Sequence, residues 1–452
     1  MTTGIVATDA VVGESAAREE PDGAPRIATL DILRGIAILG ILFMNINSMG
    51  GTMAASHGPR PDLIGWTPFD QLFWWLRQVF ATGTARALLE MLFGAGMVIL
   101  TGRLADRVGR WRMIGRYYWR NVVLFGFGMV HVFVLLWPGD VLHTYALAAL
   151  IVFPLRRLPV WVLIVLGLSF ATWSAARELP NMRTAVRENV LVASAKVHRA
   201  QGIAPTRDEK KAIAGLEMWH GFVAKTVRDN AAELRARSRG FDAWRGAMIG
   251  EYVRRASRPM TVMNVLWEAA SVMLIGAALF RLGILQGLRS AAFYRRMTIG
   301  WYAIGLSIRV IAAWRTSRLD DSVTLLWACD EYGRIAMTLG HVGLVCWLLT
   351  TAAGRRLLKP FAAAGRTALT LYITQTLLCL WLLYPPFALG LFATQGWAGL
   401  MLTALAIDAL LLWGANVYLR HYTIAPVEWL WRSLAEGRRL PFRGVAVEPR
   451  AG

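Results

Sequence analysis

The sequence predicts an all-α protein: a polytopic transmembrane bundle of about ten spans, with an interfacial helix and a helical extramembrane insert. Three observations carry that expectation. Hydrophobic residues make up 56% of the 452-residue chain and charged residues 17%, and the mean hydropathy is +0.43. That is too apolar for a surface facing water on all sides, and 20 Trp make it too aromatic for disorder. The apolar residues fall in runs that approach the ~20 residues needed to cross a hydrocarbon layer. The basic residues gather in short segments between those runs, the pattern that orients membrane proteins. A net charge of +20 on a soluble chain would point to nucleic acid. Placed in such segments it does not, and no nucleic-acid partner is expected.

Residues 1–25 carry five acids and no apolar core, so they read as a disordered tail and not as a secretory signal. The first run is Leu30 to Met49. Others fall at about 85–101, 121–137, 141–155, 159–176, 261–280, 297–313, 332–351, 367–385 and 397–418. Gly94, Gly96, Gly126, Gly128 and Gly276 lie inside them, and small residues let membrane helices approach closely. The short, Trp-rich stretch Phe69–Phe80, with Arg77 inside it, reads as interfacial or re-entrant. Segment 102–120 holds six arginines against Asp106 alone, and segments 281–296 and 352–366 are also basic. Ten spans put all of these on one side, together with both termini. The expectation is a membrane protein with both ends cytoplasmic. Residues 26–176 then form an N-terminal transmembrane bundle and 258–452 a C-terminal transmembrane half. Between them, residues 177–257 are polar, with apolar positions such as Ile213, Leu216 and Phe222 at helical spacing. This insert is expected outside, as a soluble cap or as a surface for lipid headgroups.

Polar side chains at membrane depth are costly, which makes them candidates for function. Asp31 and Arg34 share a helix face and either anchor the first span as an ion pair or receive an anion. Asn45 lies eleven residues further on, about 16 Å deeper. His131 stands among apolar residues, about 16 Å from Arg120. It is a core hydrogen-bonding group, or a general base or proton carrier. Asp140 follows Pro138-Gly139 in a tight turn and either caps the next helix or joins His143 and Tyr145 in a polar mouth. His57, Trp66 and Asp70 form a third group; His57 would reach Asn45 and His131 only if its loop folds back. Thr370, Tyr372 and Gln375 lie inside a later span, and Glu428 and Arg432 are spaced as an i, i+4 pair. The three cysteines are isolated, and neither a nucleotide loop nor H-E-x-x-H occurs, so no metal site is expected.

Several motifs together resemble the YeiB family of bacterial inner-membrane proteins, whose C-terminal half is a domain of unknown function. They are L-D-I-L-R-G-I-A-I-L-G-I-L (30–42) with Asn45, L-F-G-A-G (92–96), H-x(7)-G-D-V-L-x-x-Y-A (131–146), G-R-T-A-L-T-L-Y-I-T-Q-T (365–376) and P-V-E-W-L-W-R-S-L (426–434). The start is also similar to membrane acyltransferases. Acyltransferase-3 proteins share the L-R-G-x-A opening but place a His where this chain has Asn45. In the heparan-alpha-glucosaminide acetyltransferase group the order Asn, His, Trp, Asp matches Asn45, His57, Trp66 and Asp70, which implies His57 as the acyl-transfer base.

The expected function is therefore acyl transfer within the membrane. Acyl-CoA would approach from the basic side, with Arg34 and Arg120 pairing its phosphates. His131 or His57 would take a proton from the acceptor, a lipid or glycan at the outer face, and Asn45 would donate to the oxyanion. The alternative is a proton-coupled transporter or flippase using His131 and Asp140 as a relay.

Overall fold

The computed structural model describes residues 27–319 and 329–442, and every described element is helical. The expected tail at 1–25 lies outside the described residues. Helix α1 (Ala28–Gly50) ends at Gly51, whose N–H bonds the Asn47 carbonyl. Thr52 caps the short α2 (Met53–His57) by accepting from the Ala55 N–H. Thr67 and Asp70 cap α3 (Pro68–Leu76) reciprocally, and the helix continues into a π-helical turn, Arg77–Ala81. Gly83 then takes a left-handed φ of 77°, which favours glycine, and turns the chain into α4 (Thr84–Val108). A hairpin follows, α5 (Arg110–Phe133) and α6 (Leu142–Val152). Next come α7 (Val160–Gly167), α8 (Ser169–Ala200), α9 (Arg207–Arg237), α10 (Phe241–Ala256), α11 (Pro259–Arg281) and α12 (Ala291–Ser317). The last five are α13 (Asp330–Leu349), α14 (Ala352–Arg366), α15 (Ala368–Leu377), α16 (Trp397–His421) and α17 (Pro426–Glu436).

Seven described segments are long and apolar enough to cross a membrane, and there are eight if Ala352–Arg366 and Ala368–Leu383, bent by 77° from one another, count as one broken span. The runs expected at 121–137 and 141–155 are the two that fall short. They form the α5–α6 hairpin, and the eleven residues of α6 rise only about 16 Å, against ~30 Å of hydrocarbon. Helices α12 and α16 turn large apolar side chains outward, with Ile299 61% and Trp413 65% exposed. Such a surface is stable against lipid and not against water.

Backbone contact at glycine holds the inner helices together. A Cβ on Gly94 of α4 would sit 1.8 Å from the Met273 carbonyl oxygen of α11, and one on Gly276 2.0 Å from that of Met91. Gly365 of α14 makes the same kind of approach to the Asp31 carbonyl of α1. With no apolar driving force between helices in lipid, this close packing supplies the attraction.

The insert is helical as its periodicity predicts, and α9 docks on the end of α1. Arg237, fully enclosed, donates from Nη1 to the Ser48 (3.1 Å) and Gly51 (2.7 Å) carbonyls and from Nη2 to that of Met49 (2.7 Å). It therefore satisfies the unpaired C-terminal carbonyls of α1 and meets the negative end of its dipole. Glu233 accepts from the Met53 and Ala54 N–H groups at the start of α2, and Thr52 donates to Asn230.

Candidate functional site

A cavity of about 430 Å³ runs into the bundle from the side that carries the Arg-rich segments. Arg34 of α1, Arg120 of α5, Arg366 at the end of α14 and Arg432 of α17 stand around it, with Asp31, Glu428 and Glu436 as the acids. Four arginines stand against three acids, and two of the acids have defined partners. Asp31 accepts from Arg34 at 3.0 Å. Glu428 accepts from the Leu369 N–H (2.6 Å) and from the Thr370 N–H (3.1 Å) and hydroxyl, capping α15. The i, i+4 pairing of Glu428 with Arg432 is thus replaced by this cap. Trp431 lines the cavity, with the Arg120 guanidinium 3.9 Å above its ring. Below the rim the walls are apolar. Leu100 to Leu89 of α4 alone span eleven residues, about 16 Å of depth.

The cavity is floored by Val141, Leu142, Tyr145 and Tyr372. Behind Tyr372 lies a closed chain of polar groups. The Tyr372 hydroxyl accepts from the Val141 N–H (3.3 Å) and donates to Asp140 Oδ1 (3.4 Å). His131 Nδ1 is 2.7 Å from the same oxygen, and its Nε2 is 2.8 Å from Thr376 Oγ. Asp140 Oδ2 accepts from the His143 N–H (3.0 Å) and from His143 Nδ1 (2.8 Å). The carboxylate fixes each ring with its Nδ1–H toward Asp140, leaving Nε2 as the accepting nitrogen. Sequence reasons exist for each placement. Pro138-Gly139 turns the chain so that Asp140 faces back over α5 while capping α6. Gly128 of α5 leaves the room: a Cβ there would lie 2.5 Å from the His143 nitrogen and 2.8 Å from Asp140 Oδ2. Tyr372 and Thr376, one turn apart on α15, meet Asp140 and His131 from the opposite wall.

The remaining sequence candidates separate. Arg34 and Arg120 line the cavity, and His131 and Asp140 sit behind its floor; Asn45 and His57 belong to neither group. Asn45 is half-buried and makes none of the hydrogen bonds of the network. His57 ends α2 beneath the insert, where Nδ1 pairs with the Met53 carbonyl at 3.2 Å. Although its surface is exposed, the protein around it and then the charge of Arg255 lower its pKa to about 4. It is neutral at pH 7 but a weak base. Asp70 is a structural cap that also accepts from the Ala398 N–H of α16 at 2.9 Å.

Sequence reasoning passed over a second buried cluster. Glu90 of α4, Glu268 of α11 and Arg334 of α13 are almost fully enclosed, and Arg86 and Glu331 border them. Arg334 reaches Glu268 at 2.6 Å and Glu331 at 2.7 Å, and Arg86 also bonds Glu268. Glu90 faces both guanidiniums at 3.6 Å without a hydrogen bond. Tyr145, on the cavity floor, donates to the Arg86 carbonyl at 3.2 Å. The signal was present in the sequence: Arg86 and Glu90 inside the run at 85–101, and single charges inside those at 261–280 and 332–351. Asp408, mid-way along α16, is another such charge, held by Gln375 Nε2 at 3.1 Å. Among the described residues no group of three or more His, Cys, Asp or Glu could hold a metal ion.

Residues 279–438 match the family model described as a protein of unknown function, DUF418. The uncharacterized protein YeiB of Escherichia coli (strain K12) is 30% identical over 434 residues, covering 90% of this chain and 96% of that protein. The uncharacterized protein YxaH of Bacillus subtilis (strain 168) is 27% identical, over 90% of this chain and 94% of its own length. No solved structure matches the chain. With 30% identity to YeiB over 90% of its length, the chain is a membrane protein that belongs to the YeiB family, carrying the DUF418 region in its C-terminal half.

Proposed function

We propose that the protein is a membrane acyltransferase that takes its acyl group from acyl-CoA bound in the Arg-rimmed cavity. One observation carries the reading: a guanidinium-lined rim, a largely apolar shaft and a floor bearing two tyrosines belong to a single cavity. That order matches the donor. Arg34, Arg120, Arg366 and Arg432 suit phosphates, which planar guanidiniums bind bidentately. The shaft suits the pantetheine arm and acyl chain. At the floor the thioester would meet Tyr372, whose hydroxyl would turn from its long 3.4 Å bond to Asp140 Oδ1 to donate to the developing oxyanion. An Asp140-bound imidazole accepts the acceptor's proton through its free Nε2. The acceptor in this reading is a lipid or glycan at the outer face, with the basic side and both termini cytoplasmic, in a bacterial inner membrane.

The test uses the purified full chain in lipid vesicles with radiolabelled acetyl-CoA and longer acyl-CoAs. The reading expects label on lipid or an added glycan, reduced by about 10²–10³ in Tyr372→Phe through loss of one oxyanion donor. No binding and no transfer from folded protein would refute it. A second reading, a proton-coupled transporter, is favoured by the Glu90–Glu268–Arg334 cluster, since intramembrane carboxylates serve as proton carriers. It expects substrate flux driven by a pH gradient and lost in Glu90→Gln; its refutation is a flux indifferent to the gradient.

A further inference from the structure

We propose that His143, and not the more deeply placed His131, is the base that meets the acyl acceptor, and that the acceptor arrives from the insert side of the bundle, opposite the cavity. The inference rests on the acyl-transfer reading above and adds to it the acceptor's base and route. Both nitrogens of His131 are engaged, with Asp140 at 2.7 Å and Thr376 at 2.8 Å, and the ring has no exposed surface. A base must have an accepting nitrogen within reach of the substrate proton. His143 has one. Its Nδ1 is held by Asp140 at 2.8 Å, while among the described residues Nε2 has only a long 3.5 Å contact to the Thr144 hydroxyl, and 18% of its side chain is exposed. His131 is then a positioning residue that, with Tyr372, orients the shared carboxylate.

The surroundings of His143 fix the side and the class of acceptor. Its ring meets Tyr252 of α10, in the insert, at 5.6 Å, and Tyr252 in turn meets Phe133 at 5.4 Å. Phe133 is 44% exposed at the end of α5. An aromatic approach under an extramembrane helix fits a hydroxyl or amine carried by an amphiphile at the membrane surface. Asp140 is where the two routes meet: one oxygen faces Tyr372 and the cavity floor, the other holds His143, so the acceptor has to reach the thioester beside this carboxylate. In the transfer step the acceptor's proton passes to His143 Nε2 as its oxygen or nitrogen bonds the acyl carbon. The carbon–sulfur bond breaks and the CoA thiolate receives the proton, leaving ester or amide and free CoA.

The first arm of the test needs no activity. His143→Cys, in a Cys329→Ser background and in vesicles, is offered a membrane-impermeant maleimide from each side, with Lys225→Cys marking the insert side and Arg112→Cys the other. Labelling from the Lys225 side, faster by severalfold when Tyr252→Ala removes the cover, is expected. Labelling from the Arg112 side, or only after unfolding, overturns the route. In the second arm His143→Gln should retain acetyl-CoA binding, lose about 10²–10⁴ of transfer and flatten its pH profile near neutrality. Transfer by His143→Gln at the wild-type rate and pH profile overturns the assignment while leaving the parent reading standing. Failure of the wild type to bind acetyl-CoA sinks the parent reading itself, and this inference with it.

Discussion

Replacing Arg237 with Met should undock the insert from the bundle. Burial pulls the Arg237 guanidinium down to about 10, against the pull of Glu233, so it is charged at neutral pH. It holds three carbonyls at the end of α1 and stacks on Trp244 (4.4 Å) and Phe392 (4.1 Å). A hydrogen bond with a charged partner contributes about 1.5–3 kcal/mol, so three independent ones would contribute about 4.5–9 kcal/mol. They share one side chain and are not independent, and Met retains the apolar stacking. The expected loss is therefore about 3–5 kcal/mol, the range for removing one partner of a buried charged contact. At ~1.4 kcal/mol per factor of ten, docking weakens about 10²–10⁴-fold. Hydrogen exchange of the full chain in nanodiscs reads this directly: amides of α9 and α2 should exchange faster by that factor, while those of α4 and α11 should not change. An acceleration below tenfold in α9, or one shared equally by α4 and α11, would refute the reasoning. Arg235→Ala, on the exposed face of the same helix, is the control and should have no effect.

Gly128→Ala places a methyl group against the His143 nitrogen and Asp140 Oδ2; overpacking of this kind costs about 1–3 kcal/mol, measurable as a lower thermal midpoint, with transfer reduced alongside. Gly94→Ala drives a Cβ to 1.8 Å from a carbonyl oxygen that cannot rotate away, so α4 and α11 must separate; the destabilisation should equal or exceed that of Gly128→Ala. Glu209 is held at about 2 by hydrogen bonds from Ser194, the Thr206 N–H and His198 at the α8–α9 connection. Its folded pKa lies below its unfolded one, so the stability it gives is full above about pH 4.5 and is lost as pH falls toward 2. Proteolysis of the insert should accelerate across that window in wild type and show a weaker pH response in Glu209→Gln.

The helical class was legible because run length and loop charge report directly on the bilayer. So was the pairing of Asp31 with Arg34, a local contact at helical spacing. His131 and Asp140 stood out because nine residues and a Pro-Gly turn bring them back to one another. Their partner Thr376 did not, since 245 residues separate it from His131 and a Thr within a span carries no signal of its own. Arg237 was equally hidden: nothing in a polar, Arg-rich insert marks one arginine as the cap of a helix 186 residues away. Glu90, Glu268 and Arg334 were readable as charges inside apolar runs, but their pairing was not, since they come from three helices far apart in sequence. The α5–α6 hairpin read as two spans because hydropathy counts apolar residues, whereas the polar start of α5 and the early end of α6 shorten both arms.

The central claim is that the Arg-rimmed cavity holds acyl-CoA. Gly96 lines it, and a Cβ there meets nothing within 4 Å, so a side chain starts into open space and Gly96→Trp is expected to occupy the cavity. Binding of acetyl-CoA to wild type and to Gly96→Trp in nanodiscs, by calorimetry and with thermal midpoints measured in parallel, is the most direct test. Binding by wild type, weakened at least a hundredfold in Gly96→Trp with the midpoint unchanged, is the predicted result. Equal binding by the two proteins, or none by wild type, would contradict the claim.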